Sequence, residues 1–518
     1  MMVSLRKNDV HTLEIVDLTH DGAGVGKVVG MSVFIPGALV GEWVECCIIQ
    51  LKSRYAIGKL LRVITASPDR VAPPCSVYGR CGGCQLQHMA YGAQLSWKQS
   101  LVQRHIHHIG KSDMAVNFPM GMDHDVLSTT PKAPFWHYRH KAILPFGRAK
   151  TGEPVLGFYA PHSHRVVPLT DCLIQAGPFA EIVATTVDCV REAGLSVYDE
   201  ATHKGLLRAL IMRRSATTGK VVLGISLNAK NAAMLSRWAD KMKTLPDIQG
   251  VFLCQNMGRN NVPLSGAIVA LWGDLVLRET LGDISFALGP LSFFQVNPIQ
   301  AARIVAHLKG LYRQLLRPAL DAKAMLVDNP SVSLSESKPT PVDPPSLLGS
   351  TGRQPFEITS ILSAKLREPI IWDLYAGVGT MGLVFAREAS QVVCVEIVPE
   401  AAALCRQNAD DNGLQNVHVI EGPLEACLDQ LASLPLPDVV ILDPPRQGCH
   451  AAVLAFLNQR RIPHIWYVSC DSATFARDSE VLAAQYTCTD LQPIDMFPMT
   501  RHIEVMGCFN PKILHVSK

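Results

Sequence analysis

Two residues and their spacing offer the most reactive chemistry in this chain. Cys470 closes the apolar run Ile465–Ser469 within Tyr467-Val468-Ser469-Cys470-Asp471, and Glu504 follows 34 residues later at the end of Phe497-Pro498-Met499-Thr500-Arg501-His502-Ile503-Glu504. Taken singly, each has a bland reading. A cysteine at a strand end is ordinarily a small buried hydrophobe, and a carboxylate near Arg501 is ordinarily one half of a solvated ion pair. Together, at the ends of two apolar runs, they supply a thiolate nucleophile and a base, the equipment for transient covalent attachment of a substrate.

A cofactor site lies upstream. The buried-strand run Ile370–Asp373 feeds Leu374-Tyr375-Ala376-Gly377-Val378-Gly379-Thr380-Met381-Gly382, whose glycines allow a tight turn and close approach to a ligand where a helix is expected to begin near Thr380. A second run, Gln391–Val395, ends on Glu396, 19 residues after Gly377, the distance at which an acid accepts the ribose hydroxyls of a nucleoside cofactor. A third, Val439–Leu442, delivers Asp443-Pro444-Pro445-Arg446. The formal G-x-G-x-x-G admits a dinucleotide cofactor, but the wording of the loop is closer to the S-adenosylmethionine (SAM) loop of methyltransferases. With SAM as methyl donor the cysteine and glutamate acquire a joint task. C5 of a uracil is a poor nucleophile toward a sulfonium. Adding a thiolate at C6 gives C5 carbanion character, and after methylation a base must remove the C5 proton so that the thiol can leave. A uracil inside folded RNA hides C6, so it must be flipped out.

A metal signal stands at Cys75-x5-Cys81-x2-Cys84, set among Gly79, Gly82 and Gly83, with Cys172 as a distant fourth candidate. Four thiolates suit Zn²⁺ or an iron–sulfur cluster equally well on stereochemical grounds. The spacing is not the C-x3-C-x2-C of radical-SAM enzymes.

Three units must position these groups. Residues 1–68 read as a small β-barrel, with strands at Thr12–Leu18, Val25–Val29, Ser32–Ile35 and Glu42–Gln50 between glycine turns. Residues 69–290 form a central α+β unit, with the cysteines, a helix from Tyr91 to His108, and strands at Val155–Tyr159, Arg208–Arg213, Val221–Ser226, Gly250–Cys254 and Ile284–Leu288. Residues 291–518 alternate strand and helix as in a doubly wound α/β, Rossmann-like domain. Within it, 321–357 is rich in Ser, Pro and Thr and reads as a disordered insertion. The chain has 518 residues and a net charge of +3, too small to announce a nucleic-acid partner by itself. Its 15 cysteines, with no secretory signal, fit reduced thiols in the cytoplasm. No run approaches a membrane span, so no membrane association is expected.

Together these residues resemble the RNA 5-methyluridine methyltransferases, in particular the bacterial 23S rRNA (uracil-5-)-methyltransferases. His20-Asp21-Gly22-Ala23-Gly24-Val25-Gly26 and Pro36-Gly37-Ala38-Leu39-Val40-Gly41-Glu42 resemble a TRAM domain, an OB-like RNA-binding barrel. The resemblance implies a [4Fe–4S] cluster on Cys75, Cys81, Cys84 and Cys172, with zinc the lesser occupant. It implies SAM contacts from Gln295 (in Phe293-Phe294-Gln295-Val296-Asn297-Pro298), Tyr375, Glu396 and Asp443. It makes Cys470 the nucleophile and Glu504 the base, places Tyr138-Arg139-His140-Lys141 and Gly205-Leu206-Leu207-Arg208 near the RNA, and implies an enzyme acting as a monomer on 23S rRNA. Transfer RNA is the alternative substrate, and a non-catalytic iron–sulfur RNA-binding factor the alternative role. One departure stands beside the nucleophile: the family's Ser-Cys-Asn-Pro is here Ser469-Cys470-Asp471-Ser472. The added charge is expected to raise the thiol pKa, and the missing proline to loosen the turn.

Overall fold

The computed structural model describes residues 5–122, 135–230, 233–259, 264–327 and 368–512. The first unit is one six-stranded sheet in the order Val10–Glu14, Trp43–Leu51, Tyr55–Thr65, Met31–Ile35, Gly24–Val28, Asp17–Leu18. It curls so that Val16 N donates to Val25 O at 2.8 Å, and Leu13, Ile15, Val33, Ile35, Val44, Ile48 and Ala56 fill its interior. The long strand Tyr55–Thr65 has no counterpart in the sequence reading, because its outward positions carry Lys59, Leu61 and Arg62 without a clear alternation.

The central unit is a seven-stranded sheet in the order Ala267–Gly273, Ile248–Gln255, Val221–Leu227, Leu207–Arg214, Lys141–Arg148, Pro154–Tyr159, Val166–Pro168. Phe179, Ile182 and Val183 of the helix Phe179–Glu192, with Trp238 and Met242 of the helix Ser236–Lys243, share a core with Leu144, Leu210 and Leu223 of that sheet. The helix Tyr91–His108 falls where the sequence places it.

The last unit is a seven-stranded sheet in the order Val417–Glu421, Gln391–Glu396, Ile370–Leu374, Val439–Leu442, His464–Ser469, Glu504–Pro511, Tyr486–Ile494. The first five are parallel, while Glu504–Pro511 runs antiparallel to both its neighbours. Side chains alternate across the sheet with a period of two. Ile371, Val392, Val439, Ile441, Trp466 and Val468 face one core layer; Trp372, Val393, Val440, Leu442, Ile465 and Tyr467 face the other. Both faces are covered, which explains the nearly uninterrupted apolar runs.

Two expected boundaries shift. The hairpin Leu277–Leu281/Ile284–Leu288 bridges the central and C-terminal units. Ala287 N donates to Asn408 Oδ1 at 2.7 Å, and Ala216 N donates to Glu279 at 2.8 Å. The insertion drawn from 321 overlaps the helix Pro298–Val327, whose apolar period carries it past Asp321; residues 328–357 lie outside the described residues. Among the described residues no helix is long and apolar enough to cross a membrane.

Candidate active site

The chain order reverses between the adjacent strands Ile370–Leu374 and Val439–Leu442, and the crevice beyond their carboxyl ends is where open α/β sheets bind ligands. Tyr375, Glu396 and Asp443 all stand at that edge. The loop leaving Leu374 is forced into shape by its backbone. Tyr375 has φ 72°, Gly377 58° and Gly379 88°. A Cβ at Gly379 would meet Leu383 Cγ at 2.6 Å, whereas one at Gly377 would meet nothing within 4 Å. The open side of Gly377 is the side free for a ligand. Glu396 braces the turn: Gly377 N donates to its Oε2 and Val398 N to its Oε1, both at 2.7 Å. Carboxylate oxygens have spare lone pairs, so these bonds leave room for further donors. Asp373 does the same from beneath, accepting from Gly382 N at 2.7 Å. Its other oxygen is buried and unpartnered, and burial first, then Asp443 and Glu396, push its pKa up to about 7. Burial likewise lifts Asp443 to about 7. The expected helix at Thr380 is replaced by turns leading into a 3-10 segment, Leu383–Glu388, because Gly379 and Gly382 pull the chain against Leu383 and Asp373. Gln295 is buried in the segment before Pro298; Asn297, two residues on, donates to Met496 O at 3.2 Å.

The strand register explains why Cys470 and Glu504 meet. Ser469 pairs with Val505 across an antiparallel ladder, so the next step beyond the ladder sets Cys470 opposite Glu504. Thirty-four residues of sequence separation collapse into one cross-strand pair. Burial pushes the half-buried Cys470 thiol up to about 11, with Glu504 raising it further and Arg446 lowering it. Burial, then Asp443, lifts Glu504 to about 8. Its Oε2 is buried without a partner. Arg446, the turn residue after Asp443-Pro444-Pro445, is a cation close enough to lower the Cys470 thiol.

A raised carboxyl pKa carries a stability signature. Folded Glu504 keeps its proton where the unfolded chain has lost it. Its contribution is therefore present at low pH and lost as pH rises through about 8. Glu504→Gln, which cannot ionise, is expected to melt a few degrees above the parent at about pH 9, with a smaller gain at about pH 6. Thermal denaturation at the two pH values checks this, and equal gains would contradict it.

The departure at Asp471-Ser472 behaves differently from expectation. Asp471 is the N-cap of the helix Ser472–Leu482, its Oδ1 accepting from Ala473 N at 3.0 Å and Thr474 N at 2.9 Å. The charge points into the positive end of a helix, and among the causes that raise the Cys470 thiol it comes last. Nor is the turn loose, since Ser472 Oγ lies 2.9 Å from His105 Nδ1 of the helix Tyr91–His108. Asp471→Ala is expected to cost about 1 kcal/mol of stability and Asp471→Asn only a few tenths. Denaturant titration of the two variants checks this; equal losses would show that the cap is not what holds the turn.

Cys75, Cys81 and Cys84 share one neighbourhood with the distant Cys172. Burial pushes Cys84 up to about 12, with Cys172, Cys81 and Cys75 adding to it. It lifts Cys172 to about 11, with Cys81 and Cys75 adding. Cys84 and Cys172 pack against the same cluster, Met122, Tyr138, Ile174 and Met499, and Gly83 N donates to Cys81 Sγ at 3.4 Å. Among the described residues, no three His, Cys, Asp or Glu side chains are grouped so as to hold a metal ion as they stand.

Known proteins resemble the chain along its whole length. Residues 360–512 match the family model described as tRNA (Uracil-5-)-methyltransferase, and residues 6–61 match that of the TRAM domain. A protein of Halalkalibacterium halodurans named an uncharacterized RNA methyltransferase is 36% identical over 512 residues, covering 98% of each chain. One of the same description from Clostridium tetani is 34% identical over 509 residues, covering 97% of each. The crystal structure of a Pyrococcus abyssi tRNA (uracil-54, C5)-methyltransferase in complex with S-adenosyl-L-homocysteine superposes with a TM-score of 0.69 at 23% identity, over 96% of this chain and 99% of that one, a likeness of fold.

Proposed function

The chain belongs to the TRAM-bearing RNA (uracil-5-)-methyltransferase family, and we propose that it makes 5-methyluridine in 23S rRNA through a covalent adduct on Cys470. The observation that carries the covalent reading is the register that sets Cys470 opposite Glu504 at the ligand edge of the sheet. SAM would be held in the crevice between the Gly377 loop and Asp443. Glu396 and Asp443 would hold its hydroxyls and amine, with Tyr375 and Gln295 at the pocket's edge. Its sulfonium supplies the methyl group.

Cys470 Sγ attacks C6 of a flipped uracil, forming the S–C6 bond and moving the C5=C6 pair toward the C4 oxygen as an enolate. C5 then takes the methyl group, and S-adenosyl-L-homocysteine departs. Glu504 removes the C5 proton, the electrons of that C–H bond restore C5=C6, and the S–C6 bond breaks with its electrons on sulfur to release the thiolate. Arg446 favours the thiolate, and the buried carboxyl of Glu504, raised to about 8, is a strong base once ionised. An amine methyltransferase would need neither Cys470 nor Glu504.

The four cysteines are proposed to hold a [4Fe–4S] cluster. Their convergence and the amide donor to Cys81 Sγ support it, and a cluster spreads its thiolates over several irons, further apart than one ion would. Such a group would brace the segment from Cys75 to Cys84, and no step of the methyl transfer runs through it.

The rRNA assignment rests on resemblance to 23S enzymes with a TRAM domain and cysteine cluster. A tRNA substrate is the second reading, favoured by the description of the matched family model and by the Pyrococcus abyssi neighbour. Mapping 5-methyluridine in total RNA from cells with and without this protein decides between them. Loss of a 23S site supports the first reading, loss of a tRNA site the second, and an unchanged map contradicts both.

A further inference from the structure

The side chain of Glu504 makes no hydrogen bond among the described residues, and its Oε2 is buried without a partner. With no such bond to aim it, this carboxyl stands where the backbone at 504 and the packing around it place it. After it, the strand Glu504–Pro511 is fixed by its ladders. Before it lies the connection 495–503, and that connection is held from outside.

All but Thr500 of the residues from Asp495 to Arg501 are gripped by partners outside it. Asp495 takes Tyr91 Oη at 2.8 Å and the buried Lys98 Nζ at 2.6 Å. Phe497 O takes Lys98 Nζ at 3.2 Å, and Pro498 O takes Tyr138 Oη at 3.0 Å. Met496 O takes Asn297 Nδ2, and Arg501 N donates to Gln85 Oε1 at 3.3 Å. Thr500 closes the turn from within, its Oγ1 donating to Phe497 O at 2.8 Å.

Met499 sits at the centre with φ 66°, a left-handed conformation that an unbranched non-glycine residue adopts only at a cost of order 1–3 kcal/mol. Such a conformation persists where the surroundings over-determine it. Here Met499 N donates to Gln94 Oε1 at 3.1 Å, its carbonyl accepts from Gln85 N at 3.1 Å and Leu86 N at 3.0 Å, and its sulfur accepts from Gln94 Nε2 at 3.3 Å. Gln94 is fully buried, and its amide also holds Leu86 O and Met89 O. The two amide hydrogens of this fully buried glutamine, on a helix face shared with Leu101 and Val102, are shared among these three acceptors, so losing Gln94 leaves buried groups unsatisfied.

We propose that Gln94 and Gln85 are positioning residues for the elimination half of the reaction: the Gln94 side chain holds Met499 in its left-handed turn, the Gln85 side chain holds Arg501 N two residues on, and that turn sets where Glu504 meets the substrate. The proposal rests on the reading of Glu504 as the eliminating base. It also gives the cysteine segment a consequence for catalysis, because Gln85 and Leu86 directly follow Cys84.

Two RNAs separate the half-reactions. In RNA carrying 5-fluorouridine the C5 substituent cannot leave as a cation, so every enzyme stalls as an adduct, and adduct formation reports addition and methyl transfer alone. In uridine RNA an adduct survives only if elimination is slow. The experiment uses full-length Gln94→Ala, Gln85→Ala and Glu504→Gln, with SAM and total RNA from cells lacking the protein. That RNA is prepared with and without growth on 5-fluorouracil, and adducts are counted on denaturing gels. Gln85→Ala removes only the Arg501 and Gly82 contacts of its side chain and serves as the milder variant should Gln94→Ala not fold.

Both glutamine variants are expected to form the fluorinated adduct at the parent rate, to turn over about 10²-fold more slowly for Gln94→Ala, as a displacement near 1 Å produces, and to accumulate adduct on uridine RNA. Slow turnover with no uridine adduct in folded variants overturns the proposal, as does a parallel loss of the fluorinated adduct. Absence of a uridine adduct from Glu504→Gln itself overturns the assignment of the base, and with it the clamp.

Discussion

Cys470→Ala is expected to abolish methyl transfer, by about 10⁴-fold or more, while leaving SAM affinity within about twofold. The size of the loss follows from the chemistry. Without a thiolate at C6, no electron pair is pushed toward C5, and the uracil carbon remains too poor a nucleophile for any nearby base to rescue. The insensitivity of SAM follows from the structure. The glycine loop is braced by Asp373 and Glu396 through Gly382 and Gly377, and none of those bonds involves Cys470. The helix after Cys470 is held by Asp471 and by Ser472 on His105, so removing one half-buried sulfur leaves the turn in place. Titration calorimetry with S-adenosyl-L-homocysteine and a tritium-transfer assay measure the two quantities. Undiminished turnover, or a loss of cofactor affinity that matches the loss of turnover, would contradict the account.

Glu504→Gln is expected to slow turnover by about 10²–10⁴-fold and to accumulate RNA covalently bound to protein. Glutamine fills the same volume and leaves the ladder partners of residue 504 undisturbed, so addition and methylation proceed. It cannot take the C5 proton, so the sulfur stays on C6. The same substitution removes a carboxyl whose ionisation burial opposes, so the variant folds at least as well as the parent, and the accumulation cannot be laid to damage. Denaturing gels with labelled RNA check the result. The band should vanish when Cys470 is also alanine.

Much of this site was legible in the sequence because it follows chain-local rules. Apolar runs ending on Glu396, Asp443 and Cys470 mark parallel strands, and ligand chemistry sits at their carboxyl ends. The helix Tyr91–His108 was legible as a helix-like segment with the same bounds. What stayed hidden depends on register or on distant partners. Nothing in the spacing of Cys470 and Glu504 says that one antiparallel ladder sets them opposite each other. Asp471 reads as an unwelcome charge until its carboxylate is seen capping a helix. Gln94 and Lys98 gave no sign of their roles, since their partners Met499 and Asp495 lie some 400 positions away.

The most direct test is mass spectrometry of the adduct formed by Glu504→Gln with SAM and RNA. After nuclease and protease digestion, the account predicts a peptide whose Cys470 carries a 5-methyl-5,6-dihydrouridine nucleotide through sulfur. A modified nucleotide on any other residue, an adduct at Cys470 without the methyl group, or 5-methyluridine formed with no adduct at all would contradict it.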